Sequence, residues 1–297
     1  MFQQRIKNTP IHRQRRRAKR ALSKLQKQKN WYPNFAIIAN ERISLSIVVE
    51  GFFEAEELDF FIKWINYQGF ELQGTAIDIG ANIGNHSVFF VRYFEQVLSF
   101  EPNPVSYYFL KYNSSLEENI ETYNVGISDS NKNSFLKIPD NDIGGCGAYI
   151  SNHGGTPIQL VKLDDFLETK YPITLIKIDI EGYELNALRG MNKVLEFHKP
   201  MILFEQLENE FQKNGKNNVI EYLSALGYTK FAYIENENTT KYSRKQGYFS
   251  KKIHSLKRDL GLLKIKMFVT DKDCIPARYH TFIIAIHKDN VKKYRDL

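Results

Sequence analysis

The stretch AIDIGANIGNHSVFF, from Ala76 to Phe90, decides the fold of this chain. A short apolar strand ends in Asp78, and Gly80, Asn82 and Gly84 then lead into a second apolar run. Glycines at such a turn let a ligand approach the backbone closely, and the start of the following helix offers N–H donors. The pattern therefore predicts a strand, a ligand-binding turn and a helix.

The alternation of strand and helix continues along the chain. Further short apolar segments are QVLSFEP, TYNVGIS, TLIKIDIEG, PMILFEQ, FAYIE and FIIAIH. Stretches with helical spacing separate most of them, and near-continuous apolar strands with crossover helices predict a parallel sheet covered on both faces. Ahead of the first strand, EELDFFIKWINYQGF has helical spacing, whereas ISLSIVVEG predicts an extended lead-in.

The second strand ends at Glu101, where an acid is the usual acceptor for paired ribose hydroxyls. The turn after the first strand reads D-x-G-x-N-x-G rather than the GxGxxG of dinucleotide-binding proteins. A carboxylate of Asp78 directed at this turn would repel a pyrophosphate but would suit an ammonium or sulfonium group. We therefore expect S-adenosylmethionine rather than NAD as the cofactor.

The segment LIKIDIEG carries three charges in alternation, Lys177, Asp179 and Glu181. In an extended strand all three would point to one face, and their burial would be costly unless they meet a cleft or one another. A structural ion network centred on Lys177 and a functional acid group are both open. We interpret Lys177 as structural and Asp179 as functional, with Glu181 undecided.

Two further residues are candidates for the site. His86 follows the glycine turn, and a hydroxyl acceptor needs a base, so we place His86 second to Asp179 in that role. A lone histidine at this place is more often a helix-surface or capping residue. The glycine-rich stretch 140–155 predicts a loop over the cofactor, from which Asp142 could reach the adenine amino group; an ordinary loop fits equally well.

Several motifs together resemble the FkbM-type methyltransferase family. They are AIDIGANIGNHS, FEPNP, VKLDDFL, LIKIDIEGYELNALRG and ILFE, in that order. The resemblance covers roughly residues 40–235 and 279–288. It implies the class I, Rossmann-like α/β fold, with a mainly parallel seven-stranded sheet and helices on both faces. It also implies S-adenosylmethionine-dependent O-methylation of hydroxyls, often on sugars or polyketide-type products.

The resemblance can be carried over residue by residue. The positions that match its cofactor motifs are Asp78, Gly80, Asn82, Gly84 and Glu101. Asp179 and Glu181 match its acidic motif after the fourth strand. Methyl transfer is an in-line displacement, so alignment should supply most of the catalysis, with Asp179 taking the hydroxyl proton. Asp179 and Glu181 could instead support a divalent ion. No histidine cluster lies nearby in the sequence, and we expect no obligatory metal.

Charge is distributed unevenly along the chain. Residues 1–30 carry eleven Lys and Arg and no acid, and residues 241–266 carry nine against one. Since the whole chain carries +7 and residues 267–297 contribute +2, residues 31–240 carry −14. We therefore divide the chain into a basic N-terminal arm, 1–36, and a methyltransferase domain, 37–290, with a basic insertion at 236–278.

The basic insertion should border the acceptor site. We expect the sixth strand to run parallel to its neighbours, so that its carboxyl end near Ile234 and Glu235 emerges on the active-site side. The insertion mixes basic with aromatic and aliphatic residues, which suits an anionic acceptor with an apolar part. A solvated basic excursion fits the charge alone equally well.

The basic arm allows contact with an anionic membrane surface, although a solvated, partly disordered arm is the plainer reading. The basic segment also resembles a mitochondrial presequence, an interpretation that we rank below the other two. Two cysteines, Cys146 and Cys274, fit a reducing compartment, and no apolar run approaches the length of a membrane-spanning helix. These features predict a cytoplasmic protein, peripheral at a membrane if the arm binds one.

Three functions remain open. The leading one is an O-methyltransferase acting on a hydroxyl of a glycan, a lipid-linked saccharide or a secondary metabolite. The alternatives are an RNA methyltransferase, suggested by the basic segments, and a non-catalytic interaction protein with a cofactor fold. The intact strand-end acids argue against the last, and we rank nucleic acid below a small-molecule or glycan acceptor.

Overall fold

The computed structural model describes residues 34–39, 41–70, 72–139, 147–167, 169–212, 216–237 and 264–291. The chain divides into two compact units, residues 1–55 and 56–297. The first 33 residues, and with them most of the predicted basic arm, lie outside the described residues, as do residues 238–263 of the basic insertion.

The first unit contains helix α1, Arg42–Glu50. The Glu41 carboxylate caps it by accepting the backbone N–H groups of Ile43 and Ser44 at 2.8 and 2.7 Å. Gly51 ends it at φ 92°, a left-handed conformation that glycine adopts readily. The extended lead-in predicted for ISLSIVVEG is therefore wrong, because the caps at both ends outweigh the strand preference of its β-branched residues.

The second unit holds the sheets and the other helices. The helices are α2 (Ala55–Gln68), α3 (Asn85–Phe90), α4 (Pro104–Ser114), α5 (Leu163–Phe166), α6 (Glu184–Arg189), α7 (Asn192–His198), α8 (Asn218–Ala225) and α9 (Lys288–Val291). The strands are β1 (Thr75–Ile79), β2 (Gln96–Phe100), β3 (Ile120–Tyr123), β4 (Gly126–Ile127), β5 (Lys132–Lys137), β6 (Tyr149–Ser151), β7 (Thr156–Val161), β8 (Ile173–Ile178), β9 (Met201–Gln206), β10 (Tyr228–Asn236), β11 (Ile265–Thr270) and β12 (His280–His287). Short 3₁₀ turns occupy Glu208–Glu210 and Lys272–Cys274.

The main sheet has the strand order β11-β10-β12-β9-β8-β1-β2-β3. The five strands β9, β8, β1, β2 and β3 are parallel to one another. The other three pair antiparallel: β12 with β9, β10 with β12, and β11 with β10. Every residue of β1 and β2 is buried, which requires cover on both faces of the sheet. The α/β architecture is confirmed.

Two details of the prediction are corrected. The described residues form eight strands in this sheet rather than seven, because β11 pairs with the outer edge of β10. The sixth strand of the prediction is β10, and both of its neighbours run antiparallel to it, not parallel. Because β12 is antiparallel to β9 and β10 is antiparallel to β12, β10 runs in the same direction as β9. The carboxyl end of β10 therefore still lies at the same edge of the sheet as those of β1 and β8.

The segment TYNVGIS was expected to form one strand but forms two. Its first half is β3 of the main sheet, and its second half is β4, which pairs in parallel with β7 in a small sheet of order β4-β7-β5-β6. Asn124 lies at the junction, where its side-chain amide donates to the carbonyl of Glu101 at 2.8 Å. The chain therefore leaves the main sheet beside the end of β2.

After β8 the chain forms two short helices, α6 and α7. Gly190 lies at the break, and a Cβ added there would be 1.8 Å from the carbonyl oxygen of Ser128. Only glycine permits this approach. The break thus packs α6 directly against the chain that leaves β4.

Candidate active site

The turn after β1 takes the left-handed conformation that its sequence predicts. Gly80, Asn82 and Gly84 have φ of 77°, 50° and 93°. A Cβ added to Gly80 would lie 2.0 Å from the carbonyl oxygen of Asp179, and the N–H of Asp179 donates to the carbonyl of Ile79 at 3.1 Å. The glycine turn is therefore in backbone contact with the residue that follows β8.

Glu101 lies directly beside the glycine turn. Its Oε2 accepts the N–H of Asn82 and its Oε1 accepts the N–H of Asn103, both at 2.8 Å. The side chain is only 8% exposed, and this burial raises its pKa to about 7 in spite of the two hydrogen bonds. Each carboxylate oxygen has a second lone pair, so the group can still accept hydroxyl donors such as those of a ribose.

A buried lysine of β8 joins Asp78, near the end of β1, to Asp179, which follows β8. Lys177 is 2% exposed, and its Nζ lies 3.1 Å from Asp78 Oδ1 and 3.5 Å from Asp179 Oδ2. The same ammonium donates to the carbonyl of Gly80 at 3.0 Å, and Ser87 donates to Asp78 Oδ2 at 2.7 Å. These contacts support the interpretation of Lys177 as a structural residue.

The surroundings of Asp78 differ from the sequence-based expectation. Its side chain is 0% exposed, and Lys177 compensates its charge. The Asp78 carboxylate is therefore engaged inside the protein and does not support the expected contact with an ammonium or sulfonium group of the cofactor. Sequence reasoning missed this because Lys177 comes from the neighbouring strand, where β1 and β8 pair Asp78 with Lys177.

The charged stretch after β8 turns sharply and does not continue as a strand. The strand ends at Ile178, and Glu181 and Gly182 have φ of 55° and 96°. Glu184 holds this turn, since its Oε1 accepts the N–H groups of Ile180 and Gly182 at 3.1 and 3.2 Å. Glu181 is thus exposed on the turn, and the expected strict alternation stops before it.

Sequence reasoning missed Glu205, which lies beside Asp179. The parallel pairing of β8 and β9 brings the ends of the two strands side by side, and the two carboxyl groups are in hydrogen-bond contact. Tyr279 donates its hydroxyl to Glu205 Oε1 at 2.8 Å. Burial, together with the negative charges of Asp179 and Glu181, raises the pKa of Glu205 to about 9.

The signals for these two residues differ in strength. Glu205 is the acid of the ILFE motif, and its place at the end of a predicted parallel strand could have identified it. Tyr279 lies 74 residues away, just before β12. Tyr279 reaches the site because β12 is antiparallel to β9. No local sequence pattern predicts that pairing.

The other predicted residues lie elsewhere. His86 is buried in α3, with its ring centroid 6.1 Å from that of Phe90 and 6.0 Å from that of Phe282. Packing between aromatic rings is the environment of a core histidine and does not favour a role as base. Asp142 lies outside the described residues.

The described ends of the predicted basic insertion are partly neutralised. Three ion pairs involve its basic side chains: Arg278 with Glu235, Lys266 with Glu237, and Lys272 with Glu221. The other basic residues of the insertion, apart from Lys264, fall within residues 238–263, outside the described part of the chain.

Two features are absent from the described residues. No group of three or more His, Cys, Asp or Glu among them is arranged to hold a metal ion. No helix formed by the same residues is both long and apolar enough to cross a membrane.

Comparisons with known proteins match the sequence of this chain to a family. The model of the methyltransferase FkbM domain matches residues 78–230, just over half of the chain. The chain is 27% identical to the methyltransferase sdnD of Sordaria araneosa, over 47% of this chain and 72% of that protein. It is 29% identical to the hexuronic acid methyltransferase AglP of Haloferax volcanii, over 40% of this chain and 50% of that protein.

Among solved structures, the crystal structure of methyltransferase FkbM from Methylobacillus flagellatus is similar at 18% identity and a TM-score of 0.35. The similarity covers 64% of this chain and 48% of that one. The chain thus spans about half the length of the Haloferax protein and of this solved chain. The family match, which includes the glycine turn, Glu101, Asp179 and Glu205, establishes that this chain belongs to the FkbM methyltransferase family and is an enzyme of the methyltransferase class, which generally uses S-adenosylmethionine.

Proposed function

We propose that this chain is an S-adenosylmethionine-dependent O-methyltransferase that acts on a hydroxyl of a glycan, a lipid-linked saccharide or a secondary metabolite. The observation that carries the proposal is the backbone contact between the glycine turn and Asp179. This contact supports a role for Asp179 as the acid that takes a hydroxyl proton beside the turn that we assign to the cofactor. Similarity to a protein named as a hexuronic acid methyltransferase supports a sugar hydroxyl as acceptor.

The residues present fit the cofactor at its ribose. Glu101 would accept the ribose hydroxyls, and the turn formed by Gly80, Asn82 and Gly84 would lie against the rest of the molecule. When bound, the cofactor supplies a methyl carbon whose bonding electrons remain on sulfur as the acceptor oxygen attacks. Asp78 acts indirectly, because it holds the Lys177 ammonium that in turn binds the carbonyl of Gly80.

The chain itself then has two tasks, alignment and proton removal. Alignment of the acceptor oxygen with the methyl carbon supplies most of the rate. Asp179 accepts the hydroxyl proton, and the exposed Glu181 on the same turn binds a neighbouring hydroxyl of the acceptor. We retain His86 only as a second choice of base, and Asp142 as a contact for the adenine.

The remaining features are assigned as follows. Residues 1–36 form a basic arm and residues 37–290 the methyltransferase domain, with the 236–278 insertion bordering the acceptor site. The insertion selects an acceptor that carries phosphate or carboxylate groups. The arm provides peripheral contact with an anionic membrane surface on its cytoplasmic side.

A labelled-methyl screen tests the proposal. The full chain is incubated with methyl-labelled S-adenosylmethionine and separate fractions of envelope glycans, lipid-linked saccharides, small metabolites and RNA. We expect label in a saccharide or metabolite fraction, and calorimetric binding of S-adenosylhomocysteine. Label confined to RNA would replace the proposal by the nucleic-acid alternative, and absence of cofactor binding would overturn it altogether.

A further inference from the structure

Three side chains from three separate elements meet where the main strands end. Asp179 follows β8, Glu205 belongs to β9, and Tyr279 immediately precedes β12. Tyr279 donates to Glu205 at 2.8 Å, and Glu205 is in hydrogen-bond contact with Asp179. On its other side, Asp179 has the Lys177 ammonium at 3.5 Å. Asp179 thus lies between a cation and a second carboxyl group.

Two carboxyl groups in hydrogen-bond contact must share a proton, since two carboxylates have only acceptors and repel each other. The surroundings decide which group holds it. Glu205 is largely buried and faces the negative charges of Asp179 and Glu181, and these effects outweigh the Tyr279 hydroxyl, whose hydrogen bond favours the ionised form. Asp179 has the ammonium of Lys177 and is 35% exposed. Glu205 is therefore the member of the pair that holds the proton.

We propose that Glu205 is a positioning residue that keeps one proton and donates it in a hydrogen bond to Asp179, so that the Asp179 carboxylate stays aimed at the acceptor hydroxyl. This inference rests on the proposed function. During transfer, the acceptor oxygen would form a bond to the methyl carbon as the carbon–sulfur bond of the cofactor breaks and leaves its electron pair on sulfur. The electron pair of the O–H bond would stay on the oxygen. The released proton goes to Asp179, while Glu205 retains its own.

The first test compares two substitutions of one residue by their pH–rate profiles. Glu205→Ala removes the donor and should lower kcat on the order of 10²-fold, the cost of a misaligned group. Glu205→Gln should recover most of that loss, because its amide can donate to Asp179 and its carbonyl can accept from Tyr279. The wild-type rate should fall as the pH passes about 9, where Glu205 loses its proton, and this fall should be absent in Glu205→Gln.

Controls separate positioning from simple structural damage. Glu196→Gln, which changes an exposed carboxylate on α7, should leave both kcat and the alkaline fall unchanged. Tyr279→Phe removes a hydrogen bond that favours ionised Glu205, so the alkaline fall should move to higher pH. A Glu205→Gln variant as inactive as Glu205→Ala would show that Glu205 must ionise, and would overturn the proposal. An unmoved alkaline fall in Tyr279→Phe would do the same.

The second test needs neither cofactor nor acceptor. Infrared difference spectra of the full chain should show a protonated-carboxyl band that disappears near pH 9 and is missing from Glu205→Gln. Burial raises the pKa values of Glu101 and Glu184 to about 7, so their bands should disappear at lower pH than that of Glu205. Absence of the Glu205 band would overturn the inference even in an active enzyme. Presence of the band without methyl transfer to any hydroxyl would overturn the proposed function and the positioning role with it.

Discussion

Substitution of Glu101 by Gln should change cofactor affinity and folding stability in opposite ways as the pH rises. The Glu101 carboxylate is the acceptor that we assign to the ribose, and it also accepts two backbone N–H groups at 2.8 Å. Glutamine has one acceptor oxygen and a side-chain amide donor in place of two acceptors. Loss of a charged hydrogen bond to the ribose corresponds to about 1.5–3 kcal/mol, or roughly 10- to 150-fold in Kd.

The affinity difference should depend on pH because the pKa of Glu101 is raised to about 7. Hydroxyl donors favour the ionised carboxylate, and one pH unit below the pKa only about a tenth of it is ionised. Wild-type binding of S-adenosylhomocysteine should therefore strengthen by up to about tenfold between about pH 6 and about pH 8. The Gln variant lacks this group, so the affinity gap between the two proteins should widen.

Stability should follow the opposite course. A carboxyl group whose pKa is higher in the folded chain than its usual 4.5 stabilises the fold only while it is protonated. That contribution is lost as the pH rises through about 7, and the shift corresponds to about 3 kcal/mol. The difference in unfolding free energy, wild type minus Gln variant, should therefore decrease between about pH 5 and about pH 8.

Calorimetry with S-adenosylhomocysteine and urea unfolding at matched pH values measure both quantities. Because other acids with raised pKa values, such as Glu184 and Glu205, are common to both proteins, their effects cancel in the differences. Wild-type affinity in Glu101→Gln would remove the ribose assignment. An affinity gap that stays constant with pH would contradict the ionisation argument.

Three further substitutions test the site. Asp179→Asn should lower kcat by on the order of 10²–10⁴-fold with cofactor affinity nearly unchanged; an unchanged kcat would remove this residue from the mechanism. Gly80→Ala should weaken both folding and cofactor binding, because its Cβ would lie 2.0 Å from a carbonyl oxygen. Gly154→Ala is the control in thermal melts, because Gly154 has a similar φ of 69° but an added Cβ would have its nearest atom at 3.8 Å. An equal loss of stability in the two variants would contradict the close approach at Gly80. Lys177→Met should lower the unfolding free energy by about 3–5 kcal/mol, because it leaves Asp78 buried without its cation. In urea unfolding, a double variant that adds Asp78→Asn should recover part of this loss. An unchanged unfolding free energy in the single variant would refute the ion network.

The parts of the site that depend on local spacing could be predicted from the sequence. The turn at Gly80 and Gly84 and the acid at Glu101 follow from a strand-turn-helix pattern and the geometry of parallel strands. The α/β class followed from the same alternation. Helix α1 was missed because Ile and Val are typical of strands, and only the caps at its ends reveal the helix.

The parts that depend on pairing between distant strands could not be predicted in the same way. Lys177 compensates Asp78 across two neighbouring strands, which changes a sulfonium-facing acid into a buried ion pair. Tyr279 reaches Glu205 only because β12 enters the sheet antiparallel to β9. Such contacts follow from topology, and a single sequence gives no direct measure of it.

The most direct test of the account is the chemical position of the transferred methyl group. The wild-type chain and Asp179→Asn are each incubated with deuteromethyl-labelled S-adenosylmethionine and the fraction that accepts label best, and the product is examined by mass spectrometry and linkage analysis. The account predicts a labelled methyl ether on a hydroxyl oxygen, with one S-adenosylhomocysteine formed for each ether, and a greatly reduced yield with Asp179→Asn. Label on nitrogen, carbon or RNA, or an equal yield from the two proteins, would contradict it.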